Sequence, residues 1–225
     1  DSDLAWAVNA DALGVIGEQA RKLCCPVVHY STDYVFSGEH AGTPWKEVDP
    51  ADPQSVYGKS KLAGESQLLA SGAQSIVLRT CWVYGSRGKN FLLTMLRLFH
   101  EKASLGIVAD QVGTPTNSRL IAEMTAQIVA QCRSSDGFDF TGKTGLYHLS
   151  AAGQASWHEF AEEILRLSGE NCVLNKLTTA EYPTPAARPA WSVLNGEKLA
   201  SAFGLAPPDW RTTLAQCMAD MGLPE

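Results

Sequence analysis

The sequence has no apolar run of about 20 residues, the length needed to cross a bilayer, so we expect no membrane-spanning segment. It also has no surplus of basic residues, because its 225 residues carry a formal net charge of −6. A broad electrostatic footprint for nucleic acid is therefore excluded, whereas a local basic pocket for a small anion is still compatible with the composition.

The cysteine spacing gives no metal site. Six cysteines stand at positions 24, 25, 81, 132, 172 and 217, without a C-x-x-C pair or a cysteine/histidine spacing suited to zinc. We expect buried, reduced thiols, which indicate a cytoplasmic location. An initiating Met and a signal peptide are also missing. The chain opens on DSDLAWAVNADALG, already helical in pattern, so we expect its first residue to lie inside a longer protein.

Helices and strands alternate along most of the chain. Apolar periodicity predicts helices over 4–23, 55–71, 91–102, 118–133 and 157–169, and strands over 26–31, 75–80, 104–110 and 146–150. Ser156 and Gly169 are suited to cap the two ends of the last of these helices. Such alternation is typical of a parallel sheet covered on both faces. We expect an α/β, Rossmann-like doubly wound fold over residues 1–150, interleaved with a smaller substrate-binding lobe over 151–225.

The segment VYGKSKLAGE carries a Tyr four residues before a Lys, at Tyr57 and Lys61. On a helix these two side chains share one face, and a nearby ammonium favours the phenolate, which suits acid–base catalysis on a carbonyl or alcohol. The same spacing also occurs on many solvated helix surfaces. Its context is more specific, because STD at 31–33 follows a predicted strand, at the edge where open α/β sheets bind ligands.

Several segments together resemble one family. They are VNA at 8–10, VVHYSTDYVF at 27–36, VYGKSKLAGE at 56–65, LRTCWVYG at 78–85, NFLLTMLRL at 90–98, DQVGTPT at 110–116, GLYHLS at 145–150, YPTPAARPAWSVLN at 182–195 and PDW at 208–210. In this order they are similar to the extended short-chain dehydrogenases/reductases and, among these, to the dTDP-4-dehydrorhamnose reductase family. The resemblance covers nearly the whole chain.

The resemblance implies three sets of site residues. The catalytic residues would be Thr32, Tyr57 and Lys61. The cofactor-binding residues would be Asn9, Ser31, Tyr57, Lys61 and Thr80, with Asn9 helping to position the Lys. The substrate-binding residues would be Asp33, Tyr34, Trp82 and Arg188, with the indole stacking on a sugar or base and the guanidinium facing the diphosphate. We expect Asp110 and Gln111 to organise the loop beneath the substrate, and His29 to be a structural side chain with no catalytic role.

By the same resemblance, the reaction is reduction of the C4 keto group of dTDP-4-dehydro-L-rhamnose by hydride from NADPH or NADH. Tyr57 would protonate the new alkoxide, Lys61 would lower the phenol pKa, and Thr32 would polarise the carbonyl. Family members often form homodimers, some with Mg²⁺ between the subunits, although no acidic cluster here indicates a metal site.

One departure from the family is the missing phosphate loop. Neither G-x-G-x-x-G nor G-x-x-G-x-x-G occurs in the sequence, and GVIGEQ at 14–19 falls inside a predicted helix. We expect an N-terminally incomplete sheet that lacks on the order of 60 residues, two strand–helix units. The chain is then a fragment, the ordered part of a longer chain, or a truncated protein that binds dinucleotide weakly.

Two alternatives share the fold. A nucleotide-sugar dehydratase or epimerase is the first, but dehydratases usually carry an acid after the Thr-Asp pair, where this chain has Tyr34. A non-catalytic regulatory subunit, like the β subunit of methionine adenosyltransferase, is the second, since fold alone does not determine function. Retention of Thr32, Tyr57 and Lys61 together favours catalysis.

Overall fold

The computed structural model describes residues 1–39, 42–184 and 188–222. Its helices are α1 (Ser2–Trp6), α2 (Ala12–Lys22), α3 (Val56–Ala70), α4 (Phe91–Glu101), α5 (Ser118–Gln131), α6 (Trp157–Ser168), α7 (Glu197–Phe203) and α8 (Trp210–Asp220). A π-helical turn, Ala7–Asp11, joins α1 to α2, and 3₁₀ turns cover Asp33–Val35 and Thr179–Glu181. None of the helices in these ranges is long and apolar enough to span a membrane.

The strands are short beyond the central ones. They are β1 (Val27–Thr32), β2 (Ser75–Thr80), β3 (Val83–Tyr84), β4 (Ser104–Val108), β5 (Val112–Gly113), β6 (Thr116–Asn117), β7 (Arg133–Ser134), β8 (Gly137–Phe138), β9 (Gly145–His148), β10 (Ala155–Ser156) and β11 (Val173–Leu177). The strands predicted around residues 26–31, 75–80, 104–110 and 146–150 are therefore present, with ends shifted by a few residues.

The central sheet has the order β1–β2–β9, with every neighbouring pair parallel. Its middle strand is buried on both faces, because successive side chains of a strand point to opposite sides. Ile76 and Leu78 join a large core cluster that includes Ile121 of α5, whereas Val77 packs with Leu68 of α3 on the other face. Helices thus cover both faces, which confirms the predicted Rossmann-like α/β architecture.

One strand has a different partner from the expected one. Residues 104–110 are predicted to continue the parallel sheet, but β4 pairs in parallel with β11, far along the chain, and forms a separate two-stranded sheet. The later part of the chain therefore supplies a strand to the earlier part, while the division into a sheet domain and an interleaved smaller lobe stays a prediction. The boundary at residue 150 stays a prediction.

Helix α6 is capped as the sequence predicts. The Ser156 hydroxyl accepts from the Glu159 amide, the Glu159 carboxylate accepts from the Ser156 amide, and Gly169 ends the helix in the left-handed conformation at φ 69°. GVIGEQ is helical as well: it lies in α2, where an added Cβ at Gly14 would meet Gln67 of α3 and one at Gly17 would meet Ser71, the residue that caps α3. These glycines serve close helix packing.

The expectation of buried thiols is wrong for two cysteines. Cys81, Cys132, Cys172 and Cys217 are buried, whereas Cys24 and Cys25 are exposed; all six are free. The exposed pair follows α2, where the chain turns towards β1 and Cys24 itself takes a positive φ of 51°. Residues in such a surface turn have no core to enter, which composition alone does not reveal.

Residues 188–195 return from the later part of the chain to the carboxyl end of the central sheet. The Trp45 amide donates to the Val193 carbonyl, and the Val112 amide donates to the Ala190 carbonyl. Val35, Phe36, Trp45 and Trp191 share one core cluster there. This path brings Arg188 beside the end of β1.

Candidate functional site

The end of β1 turns sharply into the 3₁₀ turn at Asp33–Val35. The Thr32 hydroxyl caps this turn by accepting from the Tyr34 amide at 3.2 Å, and it donates to Asp33 Oδ1 at 3.0 Å. Thr32 and Asp33 are both buried. The turn therefore fixes two polar side chains at the sheet edge where the sequence places the site.

Helix α3 brings Tyr57 to this turn. The Ser55 hydroxyl caps the helix by accepting from the Gly58 amide, and the Tyr57 ring meets the Tyr34 ring edge-on, with centroids 5.8 Å apart. Gly58 is required for this approach, since an added Cβ would lie 2.2 Å from the Tyr34 carbonyl oxygen. The Thr32 hydroxyl is the neighbour that lowers the pKa of the Tyr57 phenol. The two predicted catalytic hydroxyls thus lie together.

The pKa of Tyr57 is raised above its ordinary value. Burial is the main cause and the Asp33 carboxyl adds to it, while the hydrogen bond to Thr32 acts in the opposite direction. The sequence predicts that Lys61 lowers this pKa, but the net direction is upward, and the Lys61 ammonium bonds the Tyr30 carbonyl of β1. The phenol accordingly holds its proton at neutral pH, the state that a proton donor needs.

Lys61 is buried and faces β1. Its Nζ donates to the Tyr30 carbonyl at 2.6 Å and lies 3.2 Å from His29 Nε2. Burial lowers the pKa of Lys61, and the Glu65 carboxylate partly offsets that effect. The expectation that His29 is a structural side chain without a catalytic role stays a prediction, and the structure brings its ring to the Lys61 ammonium. The alternation of side chains along β1, which puts residues 29 and 31 on the same face of the strand, could have indicated this position of His29.

Asn9 lies in the π-helical turn between α1 and α2. Its side-chain amide donates to the Ser60 hydroxyl at 3.1 Å, and that hydroxyl donates to the Tyr57 carbonyl at 3.0 Å. Its own carbonyl lies so close to α3 that a Cβ on Gly64 would come within 1.9 Å of it. Single π turns inside helices are frequent at functional sites. Asn9 therefore braces the helical turn that lies between Tyr57 and Lys61.

Three buried polar atoms at this edge have no hydrogen-bond partner among the described residues: Ser31 Oγ, Asp33 Oδ2 and Thr80 Oγ1. Thr80 stands opposite Thr32 in the β1–β2 register. Buried polar atoms without partners are costly and are usually satisfied by a ligand or water. Burial also raises the pKa of Asp33 to about 7, against the lowering effect of the Thr32 and Ser192 hydroxyls. These atoms fit a polar cofactor or sugar.

Trp82 has a strained backbone, with φ at 46°. Its indole stacks on the Trp157 indole, with centroids 3.5 Å apart and the planes 4° from parallel, and an added Cβ on Gly113 would overlap it. The Trp157 N–H donates to Gln111 Oε1 at 3.2 Å, and the Gln111 amide donates to Thr179. Strained backbone concentrates at ligand sites. Sequence reasoning found Trp82 but missed Trp157.

Arg188 borders two adjoining cavities. The smaller is also lined by Tyr34, and the larger, of about 550 Å³, is also lined by Phe91, Gln111 and Trp157. The guanidinium lowers the pKa of Tyr34, although burial outweighs it and the net direction is upward. A cavity of this size, apolar with a few convergent polar groups, matches a small-molecule site.

Asp110 and Gln111 both form hydrogen bonds with Thr179, and the position of this loop beneath the substrate stays a prediction. Asp110 Oδ1 accepts from the Thr179 hydroxyl at 2.7 Å, and both carboxylate oxygens accept from the Thr179 amide. These hydrogen bonds lower the pKa of Asp110 despite the opposing effect of burial. For metals, residues 1–39, 42–184 and 188–222 contain no group of three His, Cys, Asp or Glu side chains that could hold an ion.

The comparisons with known proteins agree with this geometry. The family model described as "RmlD substrate binding domain" matches residues 1–223. The chain belongs to this family. The dTDP-4-dehydrorhamnose reductase of Burkholderia thailandensis is 42% identical over 232 residues, which cover 98% of this chain and 76% of the relative.

Solved structures of the same family share the fold. A dTDP-4-dehydrorhamnose reductase from Clostridium acetobutylicum superposes with a TM-score of 0.90 at 35% identity, covering 99% of this chain and 75% of the other. The reductase from Bacillus anthracis, solved with NADP, gives 0.89 at 30% identity, covering 97% and 74%. These relatives are named as reductases, so the comparisons do not favour a regulatory subunit or a dehydratase.

Proposed function

We propose that this chain reduces the C4 keto group of dTDP-4-dehydro-L-rhamnose to give dTDP-L-rhamnose, in cytoplasmic dTDP-rhamnose biosynthesis for cell-surface polysaccharide. The observation that carries the proposal is the placement of the Thr32 hydroxyl beside the Tyr57 phenol, whose pKa it lowers, at the carboxyl end of β1 and one helical turn from the buried Lys61. Two adjacent hydroxyls can serve one carbonyl oxygen, one as hydrogen-bond donor and the other as proton donor.

The cofactor is NAD(P)H. The Bacillus anthracis relative is named as a complex with NADP, and the unpartnered hydroxyls of Ser31 and Thr80 fit a polar ligand at the end of the sheet. When bound, the nicotinamide supplies the hydride. In this chain Ser31, Thr80, Asn9, Tyr57 and Lys61 would hold it.

Tyr57 protonates the C4 oxygen as the alkoxide forms. Its raised pKa keeps the phenol protonated at neutrality, and its half-exposed ring leaves the hydroxyl accessible to a ligand. The single proton of the Thr32 hydroxyl, which is donated to Asp33 Oδ1 in this structure, would turn to the same oxygen and stabilise the developing charge. Lys61 supplies a positive charge behind the phenol, which favours the phenolate left after proton transfer.

The sugar nucleotide lies across the two cavities that Arg188 borders. The guanidinium binds the diphosphate, since its planar fork matches phosphate oxygens. The cavity lined by Phe91 and Trp157 accepts the thymidine, because aromatic faces bind a base by stacking. Asp33 Oδ2 accepts from a sugar hydroxyl, and Tyr34 and Trp82 form the walls of the sugar pocket.

Product analysis together with binding measurements tests this proposal. The chain is incubated with dTDP-4-dehydro-L-rhamnose and NADPH or NADH, and the product is identified by mass and NMR. Formation of dTDP-L-rhamnose with consumption of NAD(P)H supports the proposal. Calorimetric titration with dTDP, using Arg188→Ala beside the parent, tests the nucleotide cavity separately. An unchanged substrate together with a stable partner in a pull-down would instead support a regulatory subunit.

A homodimer stays a prediction. Sedimentation at micromolar concentration, with and without Mg²⁺, distinguishes a monomer from a dimer.

A further inference from the structure

The ammonium of Lys61 has a defined set of acceptors. A protonated Lys has three N–H donors and no lone pair, so His29 Nε2, 3.2 Å away, must accept rather than donate. The Tyr30 carbonyl takes a second proton at 2.6 Å. The third N–H of the Lys61 ammonium has no acceptor among the described residues and can therefore donate to a ligand.

The position of both acceptors is fixed by the sheet. Residues Val27–Thr32 pair in continuous parallel register with Ser75–Thr80, so the His29 ring and the Tyr30 carbonyl belong to a rigid strand. The Tyr30 side chain points to the opposite face, where its hydroxyl donates to Thr125 of α5. His29 is thus the side chain on the α3-facing side of β1 that meets Lys61.

Among the side chains near Lys61, His29 is the acceptor with no other hydrogen bond among the described residues. Glu65, one turn further along α3, also favours the ammonium, but its carboxylate accepts two hydrogen bonds from Arg79 of β2, at 2.9 and 2.6 Å. Burial and the Lys61 charge lower the pKa of His29 to about 4, so the ring is neutral near neutral pH. The Nε2 lone pair of His29 can therefore accept from Lys61 in the folded protein at neutral pH.

We propose that His29 is a positioning residue for Lys61: its Nε2 lone pair, together with the Tyr30 carbonyl, orients the ammonium and keeps it charged inside a buried site. The catalytic consequence of this inference rests on the proposed function. Its structural part rests only on the contacts between β1 and α3. Burial alone drives Lys61 towards the neutral amine, which could not stabilise the phenolate of Tyr57.

Histidine NMR tests the structural part without any turnover. In ¹⁵N-labelled chain, His29 is expected as the neutral tautomer with the proton on Nδ1, titrating near pH 4. The Lys61 pKa, followed at its side-chain resonances, is expected to fall by about one unit in His29→Leu and to recover in His29→Gln, whose amide oxygen is again an acceptor. A proton on Nε2, or a Lys61 pKa unmoved in His29→Leu, overturns the proposal.

The pH profile of kcat tests the catalytic part. Loss of the acceptor lowers the Lys61 pKa, so the alkaline limb of His29→Leu is expected about one pH unit lower than that of the parent, and His29→Gln is expected to restore it. Thr125→Val removes the hydrogen bond on the other face of β1 and should leave the limb in place. A general loss of stability would reduce the rates of both His29 variants without moving the limb, which would overturn the positioning role. Absence of turnover in the parent chain would count against the proposed function alone, because the NMR result is independent of it.

Discussion

The hydroxyl of Thr32 donates to Oδ1 of Asp33 at 3.0 Å while Oδ2 of the same carboxyl has no partner in the described residues. One oxygen of a buried acid therefore accepts from the hydroxyl that we propose to act in catalysis, and the other is available to a ligand. Because Thr32 also lowers the pKa of the Tyr57 phenol, we expect the protonation state of the Asp33 carboxyl to affect both the stability of the chain and the proposed catalysis.

Asp33 makes stability pH-dependent. Its folded pKa of about 7 lies above the ordinary value of 3.8, so between these values the folded state alone retains the proton, and the free energy of unfolding falls as pH rises from about 4 to about 7. Asp33→Asn is expected to be more stable than the parent at pH 8, by on the order of a few kcal/mol, and to lose that advantage below pH 4. Urea unfolding of both chains across this range measures the difference, and parallel pH curves would contradict it.

The buried Arg79–Glu65 pair ties β2 to α3. Both side chains are nearly inaccessible, and the guanidinium lies 5.0 Å from the centroid of the Phe36 ring. Glu65→Leu leaves the Arg79 charge buried without its partner and is expected to cost about 3–5 kcal/mol of unfolding free energy. The double variant Glu65→Leu/Arg79→Leu is expected to recover most of this loss. Urea unfolding of the parent, the single variant and the double variant measures these differences. A double variant as unstable as Glu65→Leu would contradict the explanation.

Gly64 allows the Asn9 turn to lie against α3. Gly64→Ala would put a methyl 1.9 Å from the Asn9 carbonyl oxygen, so the π turn must shift, at a cost of about 1–3 kcal/mol and with a lower kcat. Gly14→Ala is the matched control, because its methyl would meet the movable end of the Gln67 side chain instead. Thermal unfolding and the rates of both variants are compared; equal losses would show that close backbone approach is not the cause.

The sequence predicted what local patterns determine. The helices, the parallel central strands, the caps of α6 and the meeting of Thr32 with Tyr57 follow from periodicity, cap chemistry and the edge rule for α/β sheets. The pairing of β4 with β11 did not follow, because the sequence of a short apolar strand does not specify which other strand it pairs with. The family resemblance supplied Arg188 and Trp82, which no local pattern indicates.

The missed residues have a common physical reason. His29 and Trp157 gain their positions through tertiary neighbours, Lys61 in one case and Trp82 with Gln111 in the other. Strand alternation and helix position limit the direction in which such a side chain points, but they do not identify its tertiary neighbours. The direction of the Tyr57 pKa was missed for the same reason, since it depends on the burial of the phenol and on the nearby Asp33 carboxyl.

The most direct test of the central claim is the rate of NADPH oxidation with dTDP-4-dehydro-L-rhamnose, compared between the parent chain and Tyr57→Phe. Removing the proton donor is expected to lower kcat by about 10²–10⁴-fold while dTDP still binds with similar affinity. Tyr147→Phe, which loses a phenol bonded to the Lys143 carbonyl away from the site, should keep the parent rate. Equal rates in the parent and Tyr57→Phe would contradict the assignment of Tyr57 as the acid of a keto-sugar reductase.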